Sequence, residues 1–224
     1  MALIDEVTKT KLRERFARLE GPVELRLYLK PDSGRLILPG GLGCPTCSQA
    51  EELARAVADA APERVTLSVI DVTEQPDEGM EVPTLTIGAP GGEARIAFQG
   101  VPSGYEFSTL LDAIERVSSK GGSLAPDLAE RMSKLDADVE VMVFVTSTCP
   151  HCPGAASMAN RMALTSPRVR SVVVEANEFA ALSRQFQVEG VPRTVVNRSG
   201  SFVGALPETM FVESVLQLAE QETA

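Results

Sequence analysis

The 224-residue sequence has no tryptophan, only two tyrosines and a single histidine, His151. Aromatic residues make up 4% of the chain and hydrophobic residues 44%, and the latter fits a globular protein long enough to bury a core. No apolar run approaches the roughly 20 residues needed to cross a bilayer, so we expect no association with membranes. Blocks of lysine and arginine are also missing and the formal net charge is −10, which argues against a nucleic acid as partner.

The amino-terminal stretch, residues 1–22, lacks the apolar core of a secretory signal because charged residues interrupt every apolar run. Its apolar residues recur at helical spacing instead. We therefore expect a cytoplasmic protein whose mature chain begins at Met1. Thiols are normally reduced in that compartment, so a C-x-x-C pair there is more often catalytic or metal-binding than a structural disulfide.

The four cysteines form two C-x-x-C pairs, Cys44–Cys47 and Cys149–Cys152, which lie 105 residues apart, close to half the chain. The segments around the two pairs repeat in the same order. VELRLYL (23–29) resembles VEVMVFV (139–145), VPTLTI (82–87) resembles VPRTVV (191–196), and FQG (98–100) resembles FVG (202–204). The sequence is therefore interpreted as an internal duplication.

Both copies have the same predicted order of elements: helix, strand, C-x-x-C, helix, strand, Val-Pro, strand, strand and helix. A β-α-β crossover followed by a hairpin and a helix predicts an α/β fold, with a mixed central β-sheet flanked by helices in each unit. Glycines and a proline in SSKGGSLAPD (118–127) mark the boundary between the copies. We predict two tandem units, residues 1–119 and residues 120–224.

The first copy is longer than the second ahead of its cysteines. Fifteen positions separate Leu29 from Cys44, whereas four separate Val145 from Cys149, so the first copy has an insertion of 11 residues within KPDSGRLILPGGLG (30–43). Its RLIL segment could be the strand that leads into the first site, with VELRLYL as its hairpin partner. The sequence leaves this strand register open.

Each C-x-x-C pair lies between a predicted strand and a predicted helix, which places its first cysteine at a helix N-terminus. There the helix dipole and unpaired N–H groups stabilise a thiolate, the nucleophile of thiol–disulfide exchange. Two intervening residues bring the sulfur atoms within disulfide reach. Cys44 and Cys149 are the expected exposed attackers, and Cys47 and Cys152 are expected to resolve the mixed disulfide.

The residues between the cysteines are expected to tune these thiolates. Pro45 and Pro150 are predicted at the first helical position, where a missing N–H removes no hydrogen bond. Thr46 can only form hydrogen bonds, whereas His151 can act as a donor or a cation and so stabilise the thiolate beside it. Stabilising the thiolate favours the reduced form, so we expect the second disulfide to be more oxidising than the first.

A Val-Pro dipeptide follows each pair, Val82–Pro83 in the first copy and Val191–Pro192 in the second. Proline inside a sheet is normally confined to an edge or a bulge, yet here it precedes a good strand twice. We predict a cis peptide bond beside each site. The backbone of Val82 and Val191 would then be free to pair with a substrate peptide.

The sequence resembles the two-unit, glutaredoxin-like protein disulfide oxidoreductases, which have two thioredoxin-like units in tandem. The resemblance covers nearly the whole chain, including FVTSTCPHCPGAASMA (144–159), QFQVEGVPRTVVN (185–197) and GVPSGYEFSTLLDAI (100–114). It implies thiol–disulfide exchange with protein substrates, as reductase, oxidase or isomerase, and reduction by a thioredoxin-reductase-type enzyme. The two C-x-x-C disulfides would be the redox groups, with no further cofactor and no metal.

The chain departs from the thioredoxins proper, which have a tryptophan before the first cysteine and Gly-Pro between the pair. Thioredoxins also bury an aspartate six residues before the first cysteine, as a proton acceptor for the resolving thiol. Leu38 and Val143 hold that place here. Glu24 and Glu140 in the repeated strand are the candidate replacements, the alternative being that they are solvated carboxylates at a strand end.

Three other functions compete with this interpretation. The two pairs could bind one zinc ion, but 101 residues separate them, against a usual gap of about 15–20. The fold could be a non-catalytic binding scaffold that its cysteines only stabilise. It could also be an electron-transfer module serving a peroxide-reducing system; such modules usually keep one C-x-x-C, and the sequence has no glycine motif for a flavin.

Overall fold

The computed structural model describes residues 4–30, 44–73 and 81–222. The first half contains α1 (Glu6–Phe16), β1 (Val23–Leu29), α2 (Cys47–Ala58), β2 (Val65–Asp71), β3 (Thr84–Gly88), β4 (Ile96–Gln99) and α3 (Glu106–Ser119). The second contains α4 (Pro126–Ser133), β5 (Val139–Val145), α5 (Cys152–Thr165), β6 (Val169–Glu175), α6 (Ala180–Gln185), β7 (Arg193–Val196), β8 (Gly200–Val203) and α7 (Glu208–Glu222). None of the described helices has the length and apolar character that a bilayer span requires.

All eight strands form one mixed sheet in the order β2-β1-β3-β4-β6-β5-β7-β8. In the first half, β1 pairs in parallel with β2 and antiparallel with β3, and β3 forms a hairpin with β4. The second half repeats this arrangement with β5, β6, β7 and β8. The two sets meet where β4 pairs in parallel with β6. The α/β fold with a mixed sheet flanked by helices is confirmed.

Both edges of β1 are occupied, by β2 on one side and β3 on the other. VELRLYL is therefore an inner strand of the sheet and has no free edge for a hairpin partner from the insertion. Residues 31–43, which include the RLIL segment and Leu38 of the stretch that holds the insertion, lie outside the described residues.

The duplication extends to the backbone beyond each Val-Pro dipeptide. Gly100 and Gly204 both have positive φ angles, 93° and 104°. Their amides donate to the carbonyl oxygens of Pro83, at 2.9 Å, and of Pro192, at 2.8 Å. Glycine adopts positive φ without a steric penalty, which explains why it ends the FQG and FVG segments.

Helix α6 was not expected from the sequence. It has six residues, AALSRQ, too few to show an apolar period. It lies on the face of the sheet that holds a small apolar cluster of Met142, Phe144, Val172, Val174, Phe179 and Val195. The corresponding part of the first half, residues 74–80, lies outside the described residues.

The other face of the sheet holds the main core. Alternate strand residues there are buried against α1, α2, α3, α4, α5 and α7, with Val, Leu and Ala as the commonest side chains.

The predicted boundary falls between α3, which ends at Ser119, and α4, which begins at Pro126. That residues 1–119 and 120–224 are separate folding units remains a prediction.

Candidate functional site

Both cysteine pairs form disulfides, with Cα atoms 5.4 Å apart for Cys44–Cys47 and 5.5 Å apart for Cys149–Cys152. The first cysteine of each pair is the more accessible one. Cys44 is half-buried and Cys149 is 8% exposed, whereas Cys47 is 5% exposed and Cys152 is fully buried. This order suits an attacking and a resolving thiol, although Cys149 is less exposed than we expected from the sequence.

The two helices begin later than predicted. α2 begins at Cys47 with Thr46 as its N-cap, and α5 begins at Cys152 with His151 as its N-cap. The second cysteine of each pair is therefore the first helical residue, and the first cysteine lies in the turn before it. Neither N-cap side chain accepts a capping hydrogen bond, and His151 is exposed to solvent. A role for Thr46 or His151 in tuning the thiolates stays a prediction.

The prediction that Pro45 and Pro150 hold the first helical position is wrong, because both lie in the turn two residues before it. Pro153 instead lies within the first turn of α5, directly after the first helical residue. The first four N–H groups of a helix have no partner inside it, so a proline at that place removes no backbone bond. Pro153 is therefore tolerated directly after the second cysteine pair without loss of a helical hydrogen bond.

The Val82–Pro83 and Val191–Pro192 peptide bonds are both cis, as predicted. In the second half, the carbonyl oxygen of Val191 lies 3.8 Å from the sulfur of Cys149, so the Val-Pro loop closes one side of the site. The amide N–H of Val191 forms no hydrogen bond with another residue in the described ranges. It can therefore pair with a bound peptide, although this role is not tested.

Glu140 lies at the wrong end of its strand to take a proton from a cysteine. The five residue steps from Glu140 to Val145 span about 17 Å of extended chain, and Cys149 lies beyond that end. The Glu140 carboxylate instead accepts a hydrogen bond from Arg198 Nε at 3.0 Å, in the β7–β8 hairpin turn.

Glu24, at the start of β1, is also ion-paired and lies near a hairpin turn. Arg26 donates to its carboxylate at 2.6 Å and holds the pKa of Glu24 below its ordinary value, and the Gly91 amide of the β3–β4 turn donates at 3.4 Å. Glu24 and Glu140 are thus ion-paired carboxylates at the hairpin end of the sheet. The structure gives no support to the proposal that they accept protons from the thiols.

Helices α3 and α5, from different halves of the chain, run side by side in the same direction. Near their middle, the Ser157 hydroxyl of α5 donates to the Asp112 carboxylate of α3 at 2.7 Å. Beyond the end of α3, Arg161 Nε donates to the carbonyl oxygen of Gly122 at 3.1 Å. The axes of packed helices are about 8–10 Å apart, so the first turns of α3 and α5 are neighbours.

This packing places a carboxyl group, which the sequence did not single out, beside the loop that leads into the second cysteine pair. Glu106 is the first residue of α3, and Cys152 is the first residue of α5. The start of α3 is tied to the loop before the pair because the Tyr105 amide donates to the carbonyl oxygen of Ser147 at 2.9 Å. Glu106 and Ser147 also line the same small cavity.

The Glu106 side chain is buried, with 2% of its surface exposed. Neither carboxylate oxygen forms a hydrogen bond of standard geometry with another described residue. Burial raises the pKa of Glu106 to about 7, and the nearby Thr109 hydroxyl opposes this rise only in part. The adjoining cavity of about 10 Å³, between Glu106, Val145 and Ser147, has room for roughly one water molecule.

A carboxyl group with a pKa near 7 can take up or release a proton at neutral pH, which a solvated carboxylate does far less readily. Its counterpart at the start of α7, Glu208, accepts a hydrogen bond from the Ala125 amide at 2.8 Å and pairs with Arg161 at 2.8 Å. These contacts lower the pKa of Glu208. The two halves of the chain therefore use the same helix position for different purposes.

The burial of Glu106 could not be predicted from its sequence position. An acidic residue in the first turn of a helix is normally explained by the helix dipole, and Glu106 follows that pattern. Its burial arises only because a helix of the first half packs against the cysteine loop of the second. Gly104 has a positive φ of 59° and approaches Ser147 closely, but the glycine alone does not reveal this contact in the sequence.

No group of three or more His, Cys, Asp or Glu side chains in the described ranges is arranged to hold a metal ion. Each cysteine pair is closed on itself as a disulfide at its own helix. The redox groups that the structure contains are these two disulfides.

Comparison with known proteins agrees with this geometry. Residues 139–217 match the family described as Thioredoxin domain. The solved structure of a protein disulfide oxidoreductase from Aeropyrum pernix superposes with a TM-score of 0.84 at 25% identity, covering 98% of this chain and 96% of that one. A domain of the alkylhydroperoxide reductase AhpF from Enterococcus faecalis gives a TM-score of 0.80 at 23% identity, covering 95% of this chain and 99% of that one.

Among curated proteins, the F component of alkyl hydroperoxide reductase from Escherichia coli is 25% identical over 224 residues, or 99% of this chain. This chain spans 39% of the length of that relative. The chain has a thioredoxin-like fold with two C-x-x-C disulfides, and its relatives are oxidoreductases. All three findings indicate thiol–disulfide chemistry.

Proposed function

We propose that this thioredoxin-fold thiol–disulfide oxidoreductase exchanges disulfides with protein substrates through both of its C-x-x-C sites. The observation that carries the proposal is the second site. There the Cys149 sulfur lies 3.8 Å from the Val191 carbonyl oxygen, and the loop before the disulfide packs against the first turn of α3, which bears a buried carboxyl group. This arrangement supplies a nucleophile, a peptide-binding edge and a proton acceptor together.

In the reducing direction, the Cys149 thiolate attacks one sulfur of a substrate disulfide. A mixed disulfide forms, and the other substrate sulfur leaves as a thiolate, which takes a proton from water. The Cys152 thiol then gives its proton to Glu106 and attacks the Cys149 sulfur. The second substrate thiolate leaves, and two electrons have moved from the enzyme dithiol to the substrate disulfide.

Glu106 fits the proton-acceptor role because its pKa of about 7 lies between those of ordinary carboxyl and thiol groups. Removal of the proton from Cys152 is needed only at the resolving step, where the buried thiol has no access to bulk water. Val191 supports substrate binding through its unpaired amide N–H, as an added strand does at a sheet edge. Val82 and Pro83 are proposed to act in the same way at the first site.

The proposal is tested by insulin reduction with pre-reduced protein. We compare the wild type with two double variants, Cys44→Ser with Cys47→Ser and Cys149→Ser with Cys152→Ser. Each should reduce insulin more slowly than the wild type, and a variant lacking all four thiols should have no activity. Full activity without any of the four cysteines would overturn the proposal, and so would an inactive wild type whose thiols are fully reduced.

The role of Glu106 is tested separately with Glu106→Gln and, as a matched control, Glu208→Gln at the equivalent position of α7. We expect Glu106→Gln to slow resolution of the mixed disulfide at pH 7 by at least about tenfold, since general acid–base groups contribute about 10²–10⁴. The Glu208→Gln rate should stay within about twofold. Equal rates for the two variants would remove the proton-acceptor role.

A second candidate function is electron transfer within a peroxide-reducing system. It is favoured by the likeness to the F component of alkyl hydroperoxide reductase over nearly the whole of this chain. In this case the reduced protein would pass electrons to a thiol peroxidase. The two candidate functions are distinguished by mixing pre-reduced protein with an oxidised thiol peroxidase and then with peroxide. Only the electron-transfer function requires reduction of the peroxidase to be faster than reduction of insulin.

The disulfides also need a source of electrons. We propose a dithiol reductant of the thioredoxin-reductase type, which would return each oxidised pair to the dithiol state. We also propose that the protein is cytoplasmic. His151 is proposed to stabilise the Cys149 thiolate and so to raise the reduction potential of the second pair.

A further inference from the structure

Thr109 follows Glu106 by three residues on α3, and both side chains are 2% exposed. Residues three apart lie on the same face of a helix, with Cβ atoms about 5–6 Å from each other. The Thr109 hydroxyl is close enough to the Glu106 carboxyl group to lower its pKa. It forms no hydrogen bond of standard geometry with any described residue. A buried hydroxyl without a partner normally costs stability, so its position beside a buried acid requires an explanation.

Two other threonines within helices use their hydroxyl groups differently. Thr10 of α1 and Thr165 of α5 each donate to the backbone carbonyl oxygen four residues earlier, at 2.9 and 2.8 Å. This is a common bond for a threonine hydroxyl inside a helix. The matching acceptor for Thr109 is the carbonyl oxygen of Tyr105, which already accepts from the Ser108 hydroxyl at 2.7 Å. The Thr109 hydroxyl therefore stays available to a side chain.

The second half of the chain shows the same helix position without a hydroxyl. Glu208, the counterpart of Glu106, is followed three residues later by the fully buried Phe211. Glu208 is satisfied by the Ala125 amide and by Arg161, each at 2.8 Å. A hydroxyl thus follows the acid only in the half where the acid finds no other donor among the described residues.

The chemistry of a hydroxyl suits an acid that gains and loses a proton in each turnover. Glu106 can accept a proton from Cys152 only while it is ionised, and burial favours its neutral form. A donor to the carboxylate favours the ionised form instead. The hydroxyl of Thr109 turns freely about its C–O bond, so it can donate to the carboxylate and accept from the neutral carboxyl group.

The other charged groups in this region have partners of their own. Glu175 of β6 lines the same cavity as Glu106 and accepts from two amides of the turn after β6, both at 2.8 Å. In that turn Glu178 accepts from an amide of the loop before α3 at 2.8 Å. Asp112 of α3 pairs with an arginine of its own helix. The loop before the second pair contributes Ser147, which is neutral, and the remaining titratable groups beside it are the two cysteines.

We propose that Thr109 is the positioning residue for Glu106: its hydroxyl donates to the carboxylate and keeps the proton acceptor of the second pair ionised at neutral pH. The first half of the chain thereby sets the pH range in which the second pair completes its reaction. This inference rests on the proposed function, because it requires that Glu106 accepts the proton of Cys152.

The test measures the resolving step alone, by stopped flow from pH 5 to pH 9. It uses the full chain with Cys44→Ser and Cys47→Ser, fully reduced, and the aromatic disulfide dithiobis(nitrobenzoate) as substrate. Cys149 attacks the reagent, forms a mixed disulfide and releases one coloured thiolate. Cys152 then attacks the Cys149 sulfur and releases the second, so the second phase reports resolution.

In this background we compare Thr109→Val, which has a similar shape and no hydroxyl, with Thr109→Ser, which keeps the hydroxyl. Thr165→Val is the matched control, since it removes a hydroxyl that bonds only to the backbone of α5. For Thr109→Val we expect the pH midpoint of the second phase to rise by about one unit, the effect of losing one hydrogen bond to a charged group. Resolution should then be about fivefold slower at pH 7 and within about twofold of the wild type at pH 9.

Thr109→Ser and Thr165→Val should keep the wild-type midpoint, and the first phase should be the same in all variants. An unchanged midpoint in Thr109→Val, while Glu106→Gln is slow, would overturn this inference and leave the acceptor role of Glu106 in place. An equal loss at every pH in Thr109→Val and Thr109→Ser would also overturn it, because the packing of α3 would then be responsible.

Two further results separate this inference from the proposed function. If Glu106→Gln resolves as fast as the wild type, the acceptor role fails and the inference falls with it. Failure of the same background protein to reduce insulin would contradict the proposed function alone, since the aromatic disulfide is not a protein. Thr109→Ala also lacks the hydroxyl and gives the same test if Thr109→Val does not fold.

Discussion

Replacing Glu106 with glutamine should make the protein more stable at alkaline pH. A carboxyl group whose pKa rises on folding stabilises the folded state only while it is protonated. That contribution is complete below its unfolded pKa of 4.5 and is lost as pH rises through the folded value of about 7. Glutamine has a similar shape and no charge, so Glu106→Gln does not have this pH dependence.

The size of the effect follows from the two pKa values. A difference of about 2.5 units corresponds to about 3.4 kcal/mol once the group is fully ionised. Between pH 5 and pH 8 the wild type should lose about 2.5 kcal/mol of its free energy of unfolding relative to Glu106→Gln. For a chain of this size that corresponds to about 5–10 °C in Tm.

The assay is urea unfolding of the oxidised proteins at pH 5, 6, 7 and 8. Glu208→Gln is the control, because the hydrogen bond from the Ala125 amide and the ion pair with Arg161 lower the pKa of Glu208. Its stabilising contribution is present above pH 4.5 and lost as pH falls, so this variant should be slightly less stable than the wild type at pH 8. Parallel stability profiles for wild type and Glu106→Gln would show that the carboxyl group is not held neutral by burial.

Three further outcomes are expected. Cys152→Ser should accumulate a mixed disulfide with substrate at Cys149, visible as a mass increase under non-reducing conditions, whereas Cys149→Ser should accumulate little. His151→Ala should make the second pair harder to reduce, by about 30 mV for each unit of thiol pKa, measured against a glutathione or dithiothreitol series; an unchanged potential would remove the tuning role. Gly104→Ala should lower the free energy of unfolding by at least about 1–2 kcal/mol, because alanine is strained at positive φ and its Cβ would meet the Ser147 backbone; equal urea midpoints for the two proteins would contradict this.

The sequence predicted most of the fold because the duplication made each element visible twice. The two similar β-rich runs VELRLYL and VEVMVFV predicted the strands that the structure has as β1 (Val23–Leu29) and β5 (Val139–Val145). The two Val-Pro dipeptides and the two glycines that follow them keep the same backbone geometry. Helix α6 could not be seen, because its six residues are too short for a period to emerge.

The chemistry of the site was only partly visible for a different reason. The cysteines and prolines act through their own chain neighbours, so local spacing reveals them. Glu106 lines a cavity with Ser147, which is 41 positions away in the sequence, and the two residues meet only because β4 pairs with β6 and α3 packs beside α5. Glu24 and Glu140, the carboxylates that the sequence offers within each unit, lie instead at the far end of their strands.

The central claim is that both disulfides are working redox groups. The measurement that tests it most directly is differential alkylation with mass spectrometry across a redox-buffer series, applied to each pair in a variant that lacks the other. We predict that both pairs titrate between about −270 and −120 mV, the span of dithiol oxidoreductases. A pair that stays oxidised below about −300 mV would be a structural disulfide and would contradict the account.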